Sequence, residues 1–360
     1  MPWFDLHILY FVGMSFILNG LVVYLWHIKF YRKLGLKTYK AVQRIHLNET
    51  PRLGGFIFFI SLVSLVTFCN TSESTNALKL ILICLTPIFF IGLKEDLLHN
   101  VDPTIRLLSL LLVGWLFRVQ FTGNLPNLSE IPILSTLLLL QGGVSLFYIL
   151  SIATVANGMN LIDGVNGLCG ATTLSILGAF LFLSYKTSDI VMLSLIFSVL
   201  INLIPFMLVN YPFGKIFLGD LGAYSLGVIV SLIAIMLFGR HPEISPWGAV
   251  LILIYPITEV VFSLLRRFFQ GNAIHRPDNL HLHLKIFHFL RPYSAYKKMA
   301  NALVLPSLSG LWLFPLLTIP WFFQRPLFIW IGIFLFIFFY CLIYALVPNV
   351  KKETKTIKFK

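Results

Sequence analysis

The chain has 360 residues, of which 58% are hydrophobic and only 11% charged, with a mean hydropathy of +0.88. A soluble domain carries about 25% charged residues, so a soluble globular fold is excluded and an all-α polytopic membrane protein is expected. The net charge of +13 could suggest nucleic acid, but the basic residues gather in loops between apolar runs, which points to topology and contact with anionic lipid, with no nucleic acid as a partner.

In chain order the apolar runs give about eleven candidate transmembrane helices, at 6–26, 53–69, 78–93, 105–121, 134–156, 168–185, 190–209, an eighth ending near 238, then 247–265, 300–323 and 327–347. A basic loop with Lys29, Arg32, Lys33, Lys37, Lys40, Arg44 and Arg52 follows the first span. The third ends at Lys94-Glu95-Asp96. The longest polar segment is 266–298, and the chain closes on the basic tail KKETKTIKFK. An odd number of spans puts the termini on opposite sides, and the basic bias places the N-terminus outside and the C-terminus in the cytoplasm. The expected organisation is one integral-membrane domain, 1–350, with a basic cytoplasmic tail, 351–360. No cleavable signal peptide is expected, since Asp5 stands where a basic region would be. Cys69, Cys84, Cys169 and Cys341 show no C-x-x-C spacing, which argues against a disulfide framework or a cysteine metal site.

The acids are informative by position. Glu95, Asp96, Asp163, Asp220 and Asp278 all fall on the expected cytoplasmic side, and Glu259 is the one internal candidate, within two turns of Arg266. A transporter would more naturally place acids near the midplane. The asymmetry points to an enzyme whose active site lies at the cytoplasmic face and acts on a lipid head group. A transporter or flippase of a lipid-linked anion is the rival class, motivated by the bundle and by Glu259.

The stretch NGMNLIDGVNGLCG, 157–170, sets Asn157, Asn160, Asp163 and Asn166 three residues apart among four glycines. On a regular α-helix each such step drifts by about 60°, whereas on a broken or tighter helix the side chains converge. The expectation is a helix that ends in a polar, ligand-facing turn. A glycine-rich packing seam accounts for the glycines but not for three amides and an acid, which are costly at a membrane rim.

Three further islands carry chemistry. Adjacent Glu95 and Asp96 repel, which suits a cation or a general base for a phosphate, although a solvated helix end reads the same way. Asp220, in KIFLGDLG, is either a helix cap or a hard oxygen ligand for Mg²⁺ and its phosphates. His275-Arg276-Pro277-Asp278 precedes His281 and His283. Pro277 disfavours helix at Arg276, and residues two apart share a face in extended chain. His281 and His283 are therefore expected on a loop, pointing the same way, in a diphosphate cradle rather than a zinc site.

Together these residues resemble the polyprenyl-phosphate N-acetylhexosamine-1-phosphate transferases, the WecA/MraY-like glycosyltransferase family 4. The matches run in order: Pro51-Arg52-Leu53-Gly54-Gly55; the acidic pair; N-x-x-N-x-x-D-G-x-x-G-L from Asn157 to Leu168; F-x-G-D-x-G from Phe217 to Gly222; P-x-x-acid from Pro256 to Glu259, followed by Arg266-Arg267; and the H-x-H pair. The resemblance implies attack of a polyprenyl phosphate on a UDP-N-acetylhexosamine with release of UMP, in a bacterial inner membrane. It implies Mg²⁺, with Mn²⁺ as the alternative, on Asp220 and Asn160. Glu95 and Asp96 would handle the lipid phosphate, Asp163 would sit by the diphosphate, and Asn166 would read uracil. Asn157, Arg106, Arg276, His281 and His283 would bind the rest of the substrate. The implied partners are undecaprenyl phosphate, the UDP-sugar and the bilayer, with a homodimer left open. Three departures stand out: Glu95-Asp96 for the usual Asp-Asp, Asn166 for the last Asp of D-G-x-D-G, and Glu259 for Asp. The second loses a charge but keeps an acceptor; the first also admits an inactive relative. The H-x-H pair, without a third consecutive histidine, is more similar to the WecA branch than to the MraY branch.

Overall fold

The computed structural model describes residues 6–29, 50–68, 72–126, 142–271, 280–293 and 299–348. Arg276, Asp278, most of the basic loop after the first span, the start of the fifth expected span and the basic tail lie outside the described residues. Every regular element among them is helical: α1 Leu6–His27, α2 Gly54–Phe68, α3 Glu73–Cys84, α4 Thr86–Leu98, α5 Pro103–Gln120, α6 Gly143–Ile162, α7 Leu168–Lys186, α8 Ile190–Asn210, α9 Gly219–Arg240, α10 Trp247–Ile252, α11 Ile254–Phe269, α12 Leu282–Leu290, α13 Met299–Ser307, α14 Ser309–Trp312, α15 Phe314–Phe322 and α16 Pro326–Leu346.

The bundle is built around α9. Every residue from Gly219 to Gly239 is buried, as expected of a helix that is apolar on all sides. It packs against α6, α4, α2 and α7. Small residues permit this crowding: a Cβ on Gly227 would come within 2.5 Å of the Ala156 Cα on α6, and one on Gly55 within 2.3 Å of the Gly222 Cα.

Six of these helices, α5 to α9 and α16, are long and apolar enough to cross a membrane, or up to eight if each of two bent pairs is one span. The third expected span is one such pair. It is broken between Cys84 and Thr86, and α3 and α4 meet at 53°, because Pro87 sits in the first turn of α4 and its ring cannot continue a preceding helix. The tenth bends by 45° between α13 and the pair α14–α15, just after Pro306. The ninth is divided at Leu253 into α10 and α11 and runs on to Phe269. These proline-associated breaks lie inside apolar runs, where hydropathy alone does not register them.

Two local differences bear on the site. α6 continues past 156 and carries Asn157 and Asn160 in its last turns, ending at Ile162 with Asp163 as its C-cap. The polar turn therefore occupies only 163–167 before α7 begins. His283 does not lie on an extended loop. His281 is the N-cap of α12 and His283 is its second residue. Leu282, Ile286 and Leu290 recur every four residues, the spacing of one helical face, and this overrides the extended bias that Pro277 imposes upstream.

Candidate active site

The site begins with a short strap. Phe217 N–H donates to the Pro51 carbonyl at 2.8 Å, Gly54 N–H to Phe217 at 2.9 Å and Gly55 N–H to Leu218 at 2.8 Å. The segment 51–55 thus lies along 217–218 and delivers Arg52 to the N-terminal end of α9. Gly219, at φ +78°, turns the chain into that helix, and a Cβ there would fall 2.4 Å from the Asp96 carboxylate.

Asp96, in the last turn of α4, caps α9 through space. Its two oxygens accept from Asp220 N–H at 2.8 Å and Leu221 N–H at 3.0 Å. This satisfies first-turn donors that Leu218, the residue ahead of the helix, does not satisfy. Arg52 Nε lies 3.2 Å from the same carboxylate. Asp220 meets two arginines: Arg52 Nη2 donates to one oxygen at 2.5 Å, and Arg106 Nη1, from the first turn of α5, to the other at 2.7 Å. Arg106 Nε is buried without a partner. Glu95 turns away from its neighbour; its Oε2 accepts from Val101 N–H at 2.8 Å, bracing the turn that leads into α5. The acidic pair therefore diverges, one carboxylate holding the end of α9 and the other the approach to Arg106.

Asp163 is half-buried and makes no side-chain hydrogen bond among the described residues. Burial pushes its carboxyl well above the usual range; Arg52 opposes the shift, while Asp220 and Asp96 add to it. Three carboxylates from three elements thus share the field of Arg52. The Asn160 side chain meets the Tyr224 hydroxyl, one turn beyond Asp220 on α9. Among the described residues no group of three His, Cys, Asp or Glu could by itself hold a metal ion. The donors that converge are hard oxygens of Asp220, Asp163 and Asn160. Mg²⁺ commonly takes only one or two carboxylates and completes its shell with water and substrate phosphate, so this donor set fits it.

Asn166 sits apart from the acids. It is buried; its N–H donates to Asn301 Oδ1 at 2.7 Å and its Nδ2 to the Pro212 carbonyl at 2.9 Å, while its Oδ1 is left without a partner. Asn210 braces the same turn, accepting from Gly167 N–H at 2.6 Å and donating to the Ile216 carbonyl at 2.7 Å. Asn166 thus ties the polar turn to the 211–216 segment and to α13, with one acceptor left over.

His281 and His283 stack with ring centroids 5.9 Å apart and planes 11° from parallel. His283 presses on the polar turn: a Cβ on Gly164 would lie 2.2 Å from its Nε2. Burial lowers the His283 pKa to about 3, although Glu259 opposes the shift, so its ring is neutral, and its Nδ1 has no hydrogen-bond partner. Of the expected site residues, the structure brings Asp96, Asp163, Asp220 and Arg106 into one cluster, with Asn160 beside it and His283 on the adjoining turn. Arg52 was legible only as part of a motif and as one of many basic loop residues. Its signal was its place two residues before a Gly-Gly pair able to pack on the G-D-x-G turn.

The described residues form a helical bundle with apolar helices long enough to span a membrane and a carboxylate–arginine cluster at the N-terminal end of its central buried helix. Residues 78–238 match the family described as Glycosyl transferase family 4. The chain is 25% identical over 260 residues, 71% of each chain, to the "Probable undecaprenyl-phosphate N-acetylglucosaminyl 1-phosphate transferase" of Bacillus subtilis (strain 168). It is also 25% identical over 280 residues, 72% of this chain and 82% of the other, to the phospho-N-acetylmuramoyl-pentapeptide-transferase of Streptococcus pneumoniae (strain Taiwan19F-14). Over 264 residues, 70% of this chain and 80% of the other, it is 25% identical to the protein of the same name from Clostridium beijerinckii. The family match and these relatives make the chain similar to the WecA/MraY-like glycosyl transferases over about 70% of its length.

Proposed function

We propose that this protein transfers N-acetylhexosamine-1-phosphate, with GlcNAc or a 6-deoxy HexNAc as the sugar, from a UDP-sugar to undecaprenyl phosphate, releasing UMP. The step would open the synthesis of an O-antigen-like surface polysaccharide at the cytoplasmic face of the bacterial inner membrane, in a bundle of about eleven spans with its N-terminus outside. The observation that carries the reading is Asp220, held between Arg52 and Arg106 at the end of α9 and faced by the unpartnered Asp163.

The chemistry needs no proton at the reacting centre. An oxygen of the lipid monophosphate bonds to the sugar-side phosphorus of the UDP-sugar. The bond from that phosphorus to the bridging oxygen breaks, and UMP leaves with the electron pair. Protein groups contribute mainly by position and by charge. Arg52 and Arg106 would turn from Asp220 to the phosphates, where guanidinium forks bind well, and the unpaired Arg106 Nε supplies a ready donor. Mg²⁺, when bound by Asp220 and Asn160, would supply positive charge for the diphosphate and the leaving group. Asp96, with both oxygens engaged by backbone N–H groups, would serve by fixing Asp220, and Glu95, with Oε2 on Val101 N–H, by fixing the approach to Arg106. Asn166 would lend its free acceptor to the uracil edge, and His281 would hold a phosphate or the sugar.

A second reading has a specific support: several relatives carry the name phospho-N-acetylmuramoyl-pentapeptide-transferase. One assay separates the two. Purified full-length protein is given undecaprenyl phosphate, Mg²⁺ and a panel of UDP-HexNAc donors together with UDP-MurNAc-pentapeptide, and UMP and lipid product are scored together. Release with a UDP-HexNAc supports the proposal, and release with the pentapeptide donor alone replaces it by the second reading. Uptake of a lipid-linked anion into vesicles, with no lipid product from any donor, would return the transporter class. Asn166→Ala is expected to weaken UDP-sugar binding more than lipid binding, and equal losses would remove its uracil role.

A further inference from the structure

Glu259 lies behind the histidine pair and takes no part in the cluster around Asp220. It is fully buried on α11. Its Oε1 accepts from His281 Nδ1 at 2.9 Å, and its Oε2 accepts from the Tyr340 hydroxyl, on α16, at 2.7 Å. Both carboxylate oxygens are thus engaged by protein donors, and a carboxylate so enclosed is tolerated only when it is paired. An ionised carboxylate accepts and does not donate, so the hydrogen sits on His281 Nδ1. The other ring nitrogen, Nε2, has no hydrogen-bond partner among the described residues.

We propose that Glu259 and Tyr340 are positioning residues for His281, a Tyr–Glu–His relay that fixes the imidazole with Nδ1 inward and the Nε2 lone pair free to accept from a hydroxyl or N–H of the substrate's sugar. The inference rests on the transferase reading, in which His281 touches the substrate. Second partners of this kind set which ring nitrogen is free and hold the ring in plane. The relay is also tied to the rest of the site. One turn before Glu259, Pro256 presses its carbonyl on α6, where a Cβ on Gly158 would lie 2.2 Å from that oxygen. On the other side, His281 stacks on His283, which abuts Gly164. The relay therefore carries the place of α16 and α11 to the turn that holds Asp163. It also gives a role to the acid of the P-x-x-acid motif, which has no oxygen left for a ligand.

The test uses full-length protein in lipid nanodiscs. Variants are Glu259→Gln, Glu259→Asp, Tyr340→Phe, His281→Ala and the double variant Glu259→Gln/His281→Ala. UMP release is measured alongside the ¹⁵N imidazole signals of His281. Glu259→Gln is expected to lower turnover about 10–100-fold, the usual cost of removing such a second partner. Tyr340→Phe should lower it less, and Glu259→Asp should retain more activity than Glu259→Gln. In the His281→Ala background Glu259→Gln should cost nothing more, because residues acting through one another are not additive. The wild-type ¹⁵N pattern should show Nδ1 protonated, and Glu259→Gln should give a mixture of tautomers. Losses that multiply in the double variant, or an unchanged ¹⁵N pattern and turnover in Glu259→Gln, would overturn the relay. If Glu259→Gln does not fold, Tyr340→Phe in the presence and absence of His281 carries the same non-additivity test. Full turnover by His281→Ala would instead remove the substrate contact of His281. An absence of UMP release with every donor would strike the transferase reading, while the tautomer measurement would still decide the relay.

Discussion

The two ends of α9 are both ionic, but they differ in how completely their charges are matched. At the C-terminal end Arg240 pairs with Asp189 at 2.7 Å and with Glu73 at 2.8 Å, while His241 bridges Asp189 at 2.9 Å and Glu243 at 3.0 Å. Asp189 also caps α8 by accepting from Met192 N–H. Burial tends to raise its pKa, but the hydrogen bonds from Arg240, Met192 and His241 bring it below the usual carboxylate range. At the N-terminal end Asp163 has no hydrogen-bond partner among the described residues, Arg106 keeps a buried unpaired Nε, and Asp220 is held by two arginines. One end is a closed network, which is what a structural clamp requires. The other has charge left over, and unsatisfied buried charge is a cost that function can explain.

The comparison can be broken most forcefully at Asp220. Asp220→Ala is expected to reduce Mg²⁺-dependent UMP release by about 10³-fold or more, the scale of losing a principal electrostatic contact, while the protein stays folded; unimpaired turnover would end the assignment. Next is Arg52→Ala, expected to cost about 10²-fold in kcat/KM and to raise KM for the UDP-sugar. The alternative, that Arg52 merely braces the strap, would show as a lowered thermal midpoint with KM unchanged. A smaller and opposite effect is expected from Asp163→Asn in the ligand-free protein. A carboxyl whose folded pKa is raised favours the folded state while protonated, and that contribution is lost as pH rises from the unfolded value through the folded one. Wild type and variant should therefore have similar thermal midpoints in acid, and above the ordinary carboxylate range near pH 4 the variant should be the more stable, with lower turnover. A variant less stable at neutral pH would mean that Asp163 has a partner after all.

Much of the site could be read from the residues because close packing leaves a trace in them. Gly55 and Gly222 had to be small for their backbones to touch, and this contact brings Arg52 to Asp220. The N-x-x-N-x-x-D spacing marked a helix end, and α6 does end at Asp163. The role of Asp96 was not legible, because its partners, Asp220 N–H and Leu221 N–H, are backbone atoms more than a hundred residues away and leave no side-chain signature. The same holds for Tyr340, an aromatic in an apolar helix that reads as core until its hydroxyl is seen on Glu259. The breaks in α3–α4 and α13–α15 were masked by hydropathy, which is blind to direction. Pro277 favours a loop at His283, but the helical spacing of Leu282, Ile286 and Leu290 prevails there.

The closed end sets the last and smallest prediction. Arg240 is partly exposed and Glu73 largely so, so the Arg240–Glu73 pair is screened and worth roughly 0–1 kcal/mol, whereas Asp189 is buried and also serves as the cap of α8. Asp189→Asn keeps an acceptor for Met192 but loses the charge that faces Arg240 and His241. It should therefore cost more stability than Glu73→Gln, which should be near neutral. Neither variant should alter KM for the UDP-sugar or for the lipid phosphate by more than about twofold, since the full length of α9 separates them from Asp220. A thermal midpoint lowered by Asp189→Asn with kinetics intact would mark this end as a clamp. A change in KM of the size expected for Arg52→Ala would mean that the two ends are coupled through α9 and that the contrast between them is not one of structure against function.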